Sequence, residues 1–288
     1  MAEATEGVSP DVASSLRSLL SYRCRYDPFV TPTTSGRGQV KQRVKQTVRR
    51  TIGEPYVGKR LKLHSLNRVI PDMRLKPKSI LDAGAEDATF VYWLADRFAD
   101  AHVMAVDIDE AAIGACVAAR PSRYDGRVEF KVGYFSELEP ESFDLITAFD
   151  VLEHIVDDEA AVRDLTRALR PGGSLVVHVP RDAWTTRGGQ VHRVADEDAW
   201  KINEGHVRQG YSPEGMKELL EGAGLHVKDM QLWVGPWGVL AFSVYGHLEH
   251  PAPLRLLSIP VTDVCAYLDR DPGEPGNTVF AHAVKPIS

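Results

Sequence analysis

The chain has 288 residues, 43% of them hydrophobic, and a net charge of -6. That length suits one large domain with additions, or one domain and a small second one, and no apolar run approaches the roughly 18 residues of a membrane span. Three scattered cysteines, Cys24, Cys116 and Cys265, give neither a disulfide framework nor a zinc spacing, and the acidic start of the chain is unlike a secretory signal, so a reducing cytoplasm is the expected location.

The first 75 residues read as an N-terminal helical extension or lid. Helices are expected at 9–22, with Ser9 as cap and Pro10 in the first turn, at 39–51 and at 59–70. From 37 to 68 there are ten Lys or Arg and one acid, Glu54, so this segment carries +9 and the remainder -15. The plain reading is a solvated helical face. The sharper one is contact with phosphates of a substrate, a carrier lipid or nucleic acid. No aromatic-interleaved basic stripe accompanies the charge, which argues against nucleic acid.

From 76 to 288 the pattern alternates. Strands are expected at 80–83, 103–106, 128–132, 143–149 and 174–179, with a turn at Gly172-Gly173 before the fifth. Helical patterns at 89–98, 109–120 and 157–169 separate them. This order argues for a parallel α/β sheet with right-handed crossovers. Segment 181–211 breaks the pattern and reads as an active-site insertion. Ser212 and Pro213 then open a helix ending near 222–224. A sixth strand is expected at 225–234 and a seventh at 278–284, paired antiparallel at the sheet edge. Between them, 235–270 reads as a second substrate-facing insertion, mainly helical from 251 to 268 and interrupted at Pro260.

The strand ends carry the chemistry. Strand one stops at Asp82 and turns through Gly84, where the missing side chain lets a ligand approach the backbone. Strand two ends at Asp107, an acid that can accept two hydroxyl hydrogens from a ribose. A dinucleotide turn would need glycines that expose donors to phosphate. Glu86 and Asp87 stand there instead, which disfavours pyrophosphate and tolerates a ligand with a positive centre.

The run Phe143 to Ile155, followed by Asp164-Leu165-Thr166-Arg167 and Leu169-Arg170-Pro171-Gly172-Gly173, completes a family pattern. Over 79–224, and onward toward Val284, the chain resembles the class I S-adenosylmethionine-dependent methyltransferase family. Within it the chain looks like small-molecule methyltransferases of natural-product or surface-saccharide pathways. The resemblance implies a Rossmann-like seven-stranded mixed sheet with helices on both faces. It implies S-adenosyl-L-methionine as cofactor, leaving as S-adenosyl-L-homocysteine. Asp82 and Gly84 match the first cofactor motif, Asp107 the ribose acid and Ile108 its neighbour beside the adenine. Tyr134 and Phe135 fall near the adenine, and Phe149, Asp150 and His154 near the methionyl group and reactive methyl. The family turn commonly has three spaced glycines; here Glu86 and Ala88 replace the later two.

Catalytic candidates are His178 on strand five, and His192 and His206 in the insertion. Arg181, Trp184, Arg208, Tyr211 and Trp237 are candidates for holding a substrate. No cluster forces a metal assignment. The expected reaction is in-line methyl transfer to a hydroxyl or amine of a specialised metabolite, with a homodimer as one assembly. Two alternatives stand beside it. One is a catalytically inactive cofactor-binding regulatory partner. The other is a methyltransferase acting on RNA or an anionic lipid-linked substrate.

Overall fold

Apolar side chains alternate along each central strand and so feed two separate helical layers. Ile80 packs on one face of the sheet and Leu81 on the other; Leu145 and Ile146 divide in the same way. The computed structural model describes residues 54–185, 191–193, 205–248, 252–269 and 276–287. The helices expected at 9–22 and 39–51, and Cys24, lie outside these residues.

Helix α1 (Val57–Asp72) is followed by β1 (Ser79–Ala83), α2 (Thr89–Arg97), β2 (His102–Asp107), α3 (Glu110–Ala119), β3 (Val128–Val132) and β4 (Phe143–Phe149). Then come α4 (Asp158–Ala168), β5 (Leu169–Pro180), the hairpin β6 (Ala183–Thr185) and β7 (Val191–Arg193), and α5 (Pro213–Gly222). The chain continues through β8 (His226–Trp233), α6 (Pro236–His247), α7 (Ser258–Leu268) and β9 (Thr278–Val284). Seven strands make one sheet in the order β3-β2-β1-β4-β5-β9-β8. The first five pair in parallel, and β9 runs antiparallel to both β5 and β8. The strand order reverses between β1 and β4, and ligands bind beyond the carboxyl ends of strands at such a point.

Local signals explain the helix starts. Asp109 accepts from the backbone N–H of Ala111 and Ala112 at 2.8 and 3.0 Å and caps α3. Asp157 caps α4, and Ser212 caps α5 with Pro213 just inside. One face of the sheet is covered by α1, α2 and α3, and the other by α4 and α5. Leu63, Leu66, Val69 and Ile70 of α1 share the core of β1 and β2. Its start, Val57 and Leu61, packs on Ala241 of α6 and Cys265 and Ala266 of α7.

Two expectations need correction. Strand β5 begins at Leu169, not at Ser174; its register on β4 jumps from Phe143↔Leu169 to Leu145↔Ser174. Residues 170–173 therefore loop out of a continuing strand, helped by Gly172 at φ +79°. Pro260 does not interrupt a helix: it sits in the first turn of α7, where no intrahelical N–H is needed. Helix α6 gives no period at the sequence level, because it is apolar nearly all round.

Candidate active site

The carboxyl ends of β1, β2, β4 and β5 open onto one cavity of about 1170 Å³, roofed by residues of α1 and α6. At the end of β1 the Gly84 N–H donates to Val106 O at 2.8 Å, which extends the strand pairing into the turn. The turn is left-handed at three alternate residues: Gly84 (φ +85°), Glu86 (φ +42°) and Ala88 (φ +60°). Glu86 and Ala88 thus keep the conformation that glycine adopts without strain. Asp107 ties this turn to β2. Its carboxylate accepts from the N–H of Glu86 at 3.2 Å and of Asp109 at 3.0 Å, and it lines the cavity.

Glu86 and Asp87 do not stand as free negative charge, as the sequence suggests. Lys59 of α1 reaches across and pairs with both, at 2.9 and 2.8 Å. Burial alone would lower the lysine pKa, but the two carboxylates outweigh it and raise it. Arg60 likewise pairs with Asp263 of α7, its Nη2 at 2.7 Å. Lys59 and Arg60 are therefore committed to acids of the same molecule.

Asp82 is buried, at 2% exposure, and does not line the cavity. This corrects its expected place at the ligand. Its Oδ1 lies 2.6 Å from Thr147 Oγ1, beneath the floor rather than on it. Burial pushes its pKa up to about 7, against the lowering effects of Thr147 and Lys62.

The adenine-side candidates stand together at the rim. Ile108 and Tyr134 are exposed at 69% and 64%, and Phe135 is partly buried beside them. Across the cavity, Phe149 ends β4 and Asp150 follows at φ +55°. The Asp150 N–H donates to His178 O at 2.8 Å, and its Oδ1 lies 2.8 Å from His178 Nδ1. Lys62 of α1 pairs with Asp150 Oδ2 and sits 5.1 Å from the centroid of the Phe90 ring. Lys59 and Lys62 are site residues that sequence reasoning missed. Their partners are 27 and 88 positions away, so only their spacing of one helical turn hinted at a shared face.

His154 lies against His206, the ring centroids 4.6 Å apart, and its Nδ1 is 3.2 Å from Gly205 O. With Glu153 these two histidines place metal-capable atoms within 4.8 Å of one another. His192 lies in β7 opposite Trp184 of β6; its side chain is outside the described residues. Trp184 itself lines the cavity and is 46% exposed.

Four other substrate candidates are directed elsewhere. Arg181 donates to Gly276 O at 3.2 Å. Arg208 donates to Ile155 O and Val156 O at 2.6 and 2.9 Å and pairs with Asp158. The Tyr211 hydroxyl lies 2.7 Å from Asp158 Oδ2 and 3.1 Å from Leu152 O. Trp237 starts α6, but it is Val239 and Phe242 of that helix that face the cavity. Arg208 and Tyr211 thus fasten the returning insertion to the loop after β4. Tyr211→Phe is expected to lower stability by about 1–2 kcal/mol with S-adenosylhomocysteine affinity unchanged. Urea unfolding and calorimetric titration check this; a lost affinity would return Tyr211 to the pocket.

A family model described as a methyltransferase domain matches residues 56–229, more than half of the chain. A probable S-adenosylmethionine-dependent methyltransferase of Mycolicibacterium smegmatis is 31% identical over 160 residues, covering 54% of this chain and 55% of the relative. A ubiquinone biosynthesis O-methyltransferase of Idiomarina loihiensis is 30% identical over 102 residues, 34% of this chain and 40% of that protein. The chain thus spans about half the length of the curated relatives it matches. Among solved structures, a phosphoethanolamine N-methyltransferase of Haemonchus contortus, in complex with phosphomonomethylethanolamine and S-adenosylhomocysteine, superposes with a TM-score of 0.56. That match is 18% identical and covers 77% of this chain and 52% of the other, so it speaks to the fold.

Proposed function

The chain belongs to the class I S-adenosylmethionine-dependent methyltransferase family, and from that premise we propose that it methylates a small-molecule acceptor carrying a hydroxyl or an amine. The carrying observation is one continuous cavity that runs from Asp107 to His178. About 1170 Å³ lies just above the roughly 300–1,000 Å³ of a single small-ligand site and leaves room for a cofactor and a second small molecule.

The residues present suit this cofactor. Gly84 forms a cradle that an added Cβ would fill, since it would overlap Val151 Cγ2. Asp107 offers a carboxylate to ribose hydroxyls, with Ile108, Tyr134 and Phe135 as a mostly apolar bed for adenine. Phe149, Asp150 and His154 border the methionyl end. When bound, the cofactor supplies an electrophilic methyl group on a sulfonium. The chain's own work is to orient an acceptor and exclude water, and positioning of this kind supplies much of such a rate.

Tyr56, Val234, Val239 and Phe242 line the cavity and favour an acceptor with an apolar body, such as a specialised metabolite. The relatives include a ubiquinone biosynthesis O-methyltransferase and a phosphoethanolamine N-methyltransferase, which leaves oxygen and nitrogen acceptors both in the proposal. A cavity with room beside the cofactor favours an enzyme over a regulatory partner that only holds the cofactor. Lys59 and Arg60 are paired within the molecule and do not themselves offer charge to the phosphates of an RNA or lipid-linked substrate; the basic positions from 37 to 50 lie outside the described residues. Among the described residues no helix is long and apolar enough to cross a membrane.

Asp107→Ala tests the cofactor assignment. Calorimetric titration with S-adenosylhomocysteine is expected to weaken about 10- to 100-fold, while circular dichroism retains the sheet. Unchanged affinity would remove Asp107 from the site. Incubation of the wild-type chain with the cofactor and candidate hydroxyl and amine acceptors should yield a product heavier by one methylene. No product from either class would count against the transfer itself.

A further inference from the structure

On top of the methyl-transfer reading, on which this rests, we propose that His178 is the general base. Its acceptor is then a hydroxyl on an apolar, ring-sized skeleton, whose proton goes to His178 Nε2. Asp150 and Lys62 are positioning residues for that imidazole.

The argument begins with the hydrogens. Burial would raise the Asp150 pKa, but the Lys62 cation and the His178 ring outweigh it and hold it low. The carboxylate is therefore ionised, and an ionised carboxylate only accepts hydrogen bonds. His178 Nδ1, 2.8 Å from Asp150 Oδ1, must then carry the ring hydrogen. That leaves the lone pair on Nε2.

Nε2 is buried, and among the described residues it has no hydrogen-bond partner. His178 as a whole is 3% exposed and lines the cavity. A buried acceptor without a partner calls for an explanation, and a donor carried by a molecule in the adjoining cavity supplies one.

The charge balance keeps the ring ready. Burial lowers the His178 pKa, Lys62 lowers it further, and Asp150 raises it without cancelling them. The imidazole is neutral at neutral pH. The charged groups acting on it come from two elements: Lys62 from α1, and Asp150 from the loop after β4. The β8 side contributes the uncharged Trp233 ring, its centroid 5.6 Å away. On β9, its register partner Phe280 is stacked on Trp233. The Asp150 N–H bond to His178 O adds a second tie between base and carboxylate.

The acceptor class follows from the state of Nε2. A neutral amine attacks with its own lone pair and needs no base beforehand. A carboxylic acid is already ionised. An alcohol or phenol must lose its proton, and Nε2 is placed to take it. In that step the acceptor O–H bond breaks and its proton forms the N–H bond at Nε2. The oxygen electron pair forms the new bond to the methyl carbon, as the carbon–sulfur bond breaks with its pair going to sulfur. Asp150 stabilises the imidazolium until the proton passes to water. Val239 and Phe242 of α6, with Tyr56, supply the apolar wall that a ring would face.

The test uses the full chain and para-cresol as probe, a phenol with the ordinary pKa of about 10 that stays protonated at neutral pH. Nitrogen-edited histidine NMR of the wild type should give His178 as the Nδ1–H tautomer, with Nε2 unprotonated at neutral pH. Para-cresol added to the S-adenosylhomocysteine-loaded protein should shift the Nε2 signal. Asp150→Asn should move the ring hydrogen toward Nε2. His178→Gln should keep S-adenosylhomocysteine affinity within about threefold and slow transfer to para-cresol by about 10²- to 10⁴-fold at neutral pH. His178→Phe, which leaves no buried polar atom, serves if the glutamine variant fails to fold.

A wild-type Nε2 that is already protonated, or unmoved by the probe, overturns the base assignment. So does a His178 variant with wild-type transfer. If S-adenosylhomocysteine itself does not bind, the methyl-transfer reading fails and takes this proposal with it. Cofactor binding with a protonated Nε2 sinks the base alone.

Discussion

Gly84→Ala is expected to weaken S-adenosylhomocysteine binding at least about a hundredfold, equivalent to about 2.7 kcal/mol, and to cost about 2–4 kcal/mol of stability. Two penalties add at this position. Its φ of +85° lies in the left-handed region, where a side chain is strained. Its Cβ would also overlap Val151 Cγ2. Val151 follows Asp150, which is tied to His178 through both backbone and side chain, so any shift of the loop after β4 that makes room for the methyl reaches the acceptor end as well. Ala88→Gly is the control: Ala88 already sits at φ +60°, so glycine there relieves strain and should leave affinity intact. Urea unfolding and calorimetric titration on both variants give the answer. A Gly84→Ala protein that binds as well as the wild type would sink the cradle.

The second large effect belongs to Asp82. Asp82→Asn is expected to stabilise the unliganded protein at pH 8 relative to its effect at pH 5, by roughly 3 kcal/mol. The sign follows from the direction of the shift. Burial raises the Asp82 pKa from 3.8 to about 7 in the folded chain. A raised folded value means that the group's stability contribution is intact below pH 3.8 and is lost as pH rises through about 7. Above that, folding must bury a carboxylate anion. Between the two values the protonated acid can donate to Thr147 Oγ1, 2.6 Å away, freeing the threonine hydrogen for Leu81 O at 3.3 Å. Asparagine cannot ionise, so the difference between variant and wild type isolates this one group. That matters because the lowered values of Asp150 and His178 work in the opposite direction over the acidic range. Denaturant unfolding of both proteins at the two pH values is the measurement. Parallel pH profiles would mean that Asp82 keeps an ordinary carboxylate value.

Much of the sheet can be read directly from the chain. β3 and β4 fall on their expected residues, and the edge pairing of β8 with β9 follows the expected antiparallel sense. Short apolar runs between turn residues identify buried strands well, because both faces of such strands must be covered. The acid at each strand end was legible for the same reason: it stops an apolar run. Asp107 reaches the cavity wall and Asp82 does not, since Asp82 lies one residue short of the strand end, next to Thr147 of β4. Helix α6 was not legible, because an all-round apolar helix carries no period. Arg208 and Tyr211 were plausible pocket residues from composition alone. Their hydrogen-bond partners, Asp158 at the start of α4 and the carbonyls of Leu152, Ile155 and Val156 in the loop before it, lie some fifty positions earlier.

Local residue order was enough for the α/β architecture, the direction of the strands and the tight turn after β1, since these depend on short-range patterning and on which residues tolerate a tight bend. Charge pairing needed the folded chain. Lys62 meets Asp150 only after α1 has packed over the sheet, and Asp150 meets His178 only once β4 and β5 have paired; nothing in the order of residues fixes contacts spanning 88 and 28 positions. The proton on one imidazole nitrogen rather than the other is a consequence of that packing.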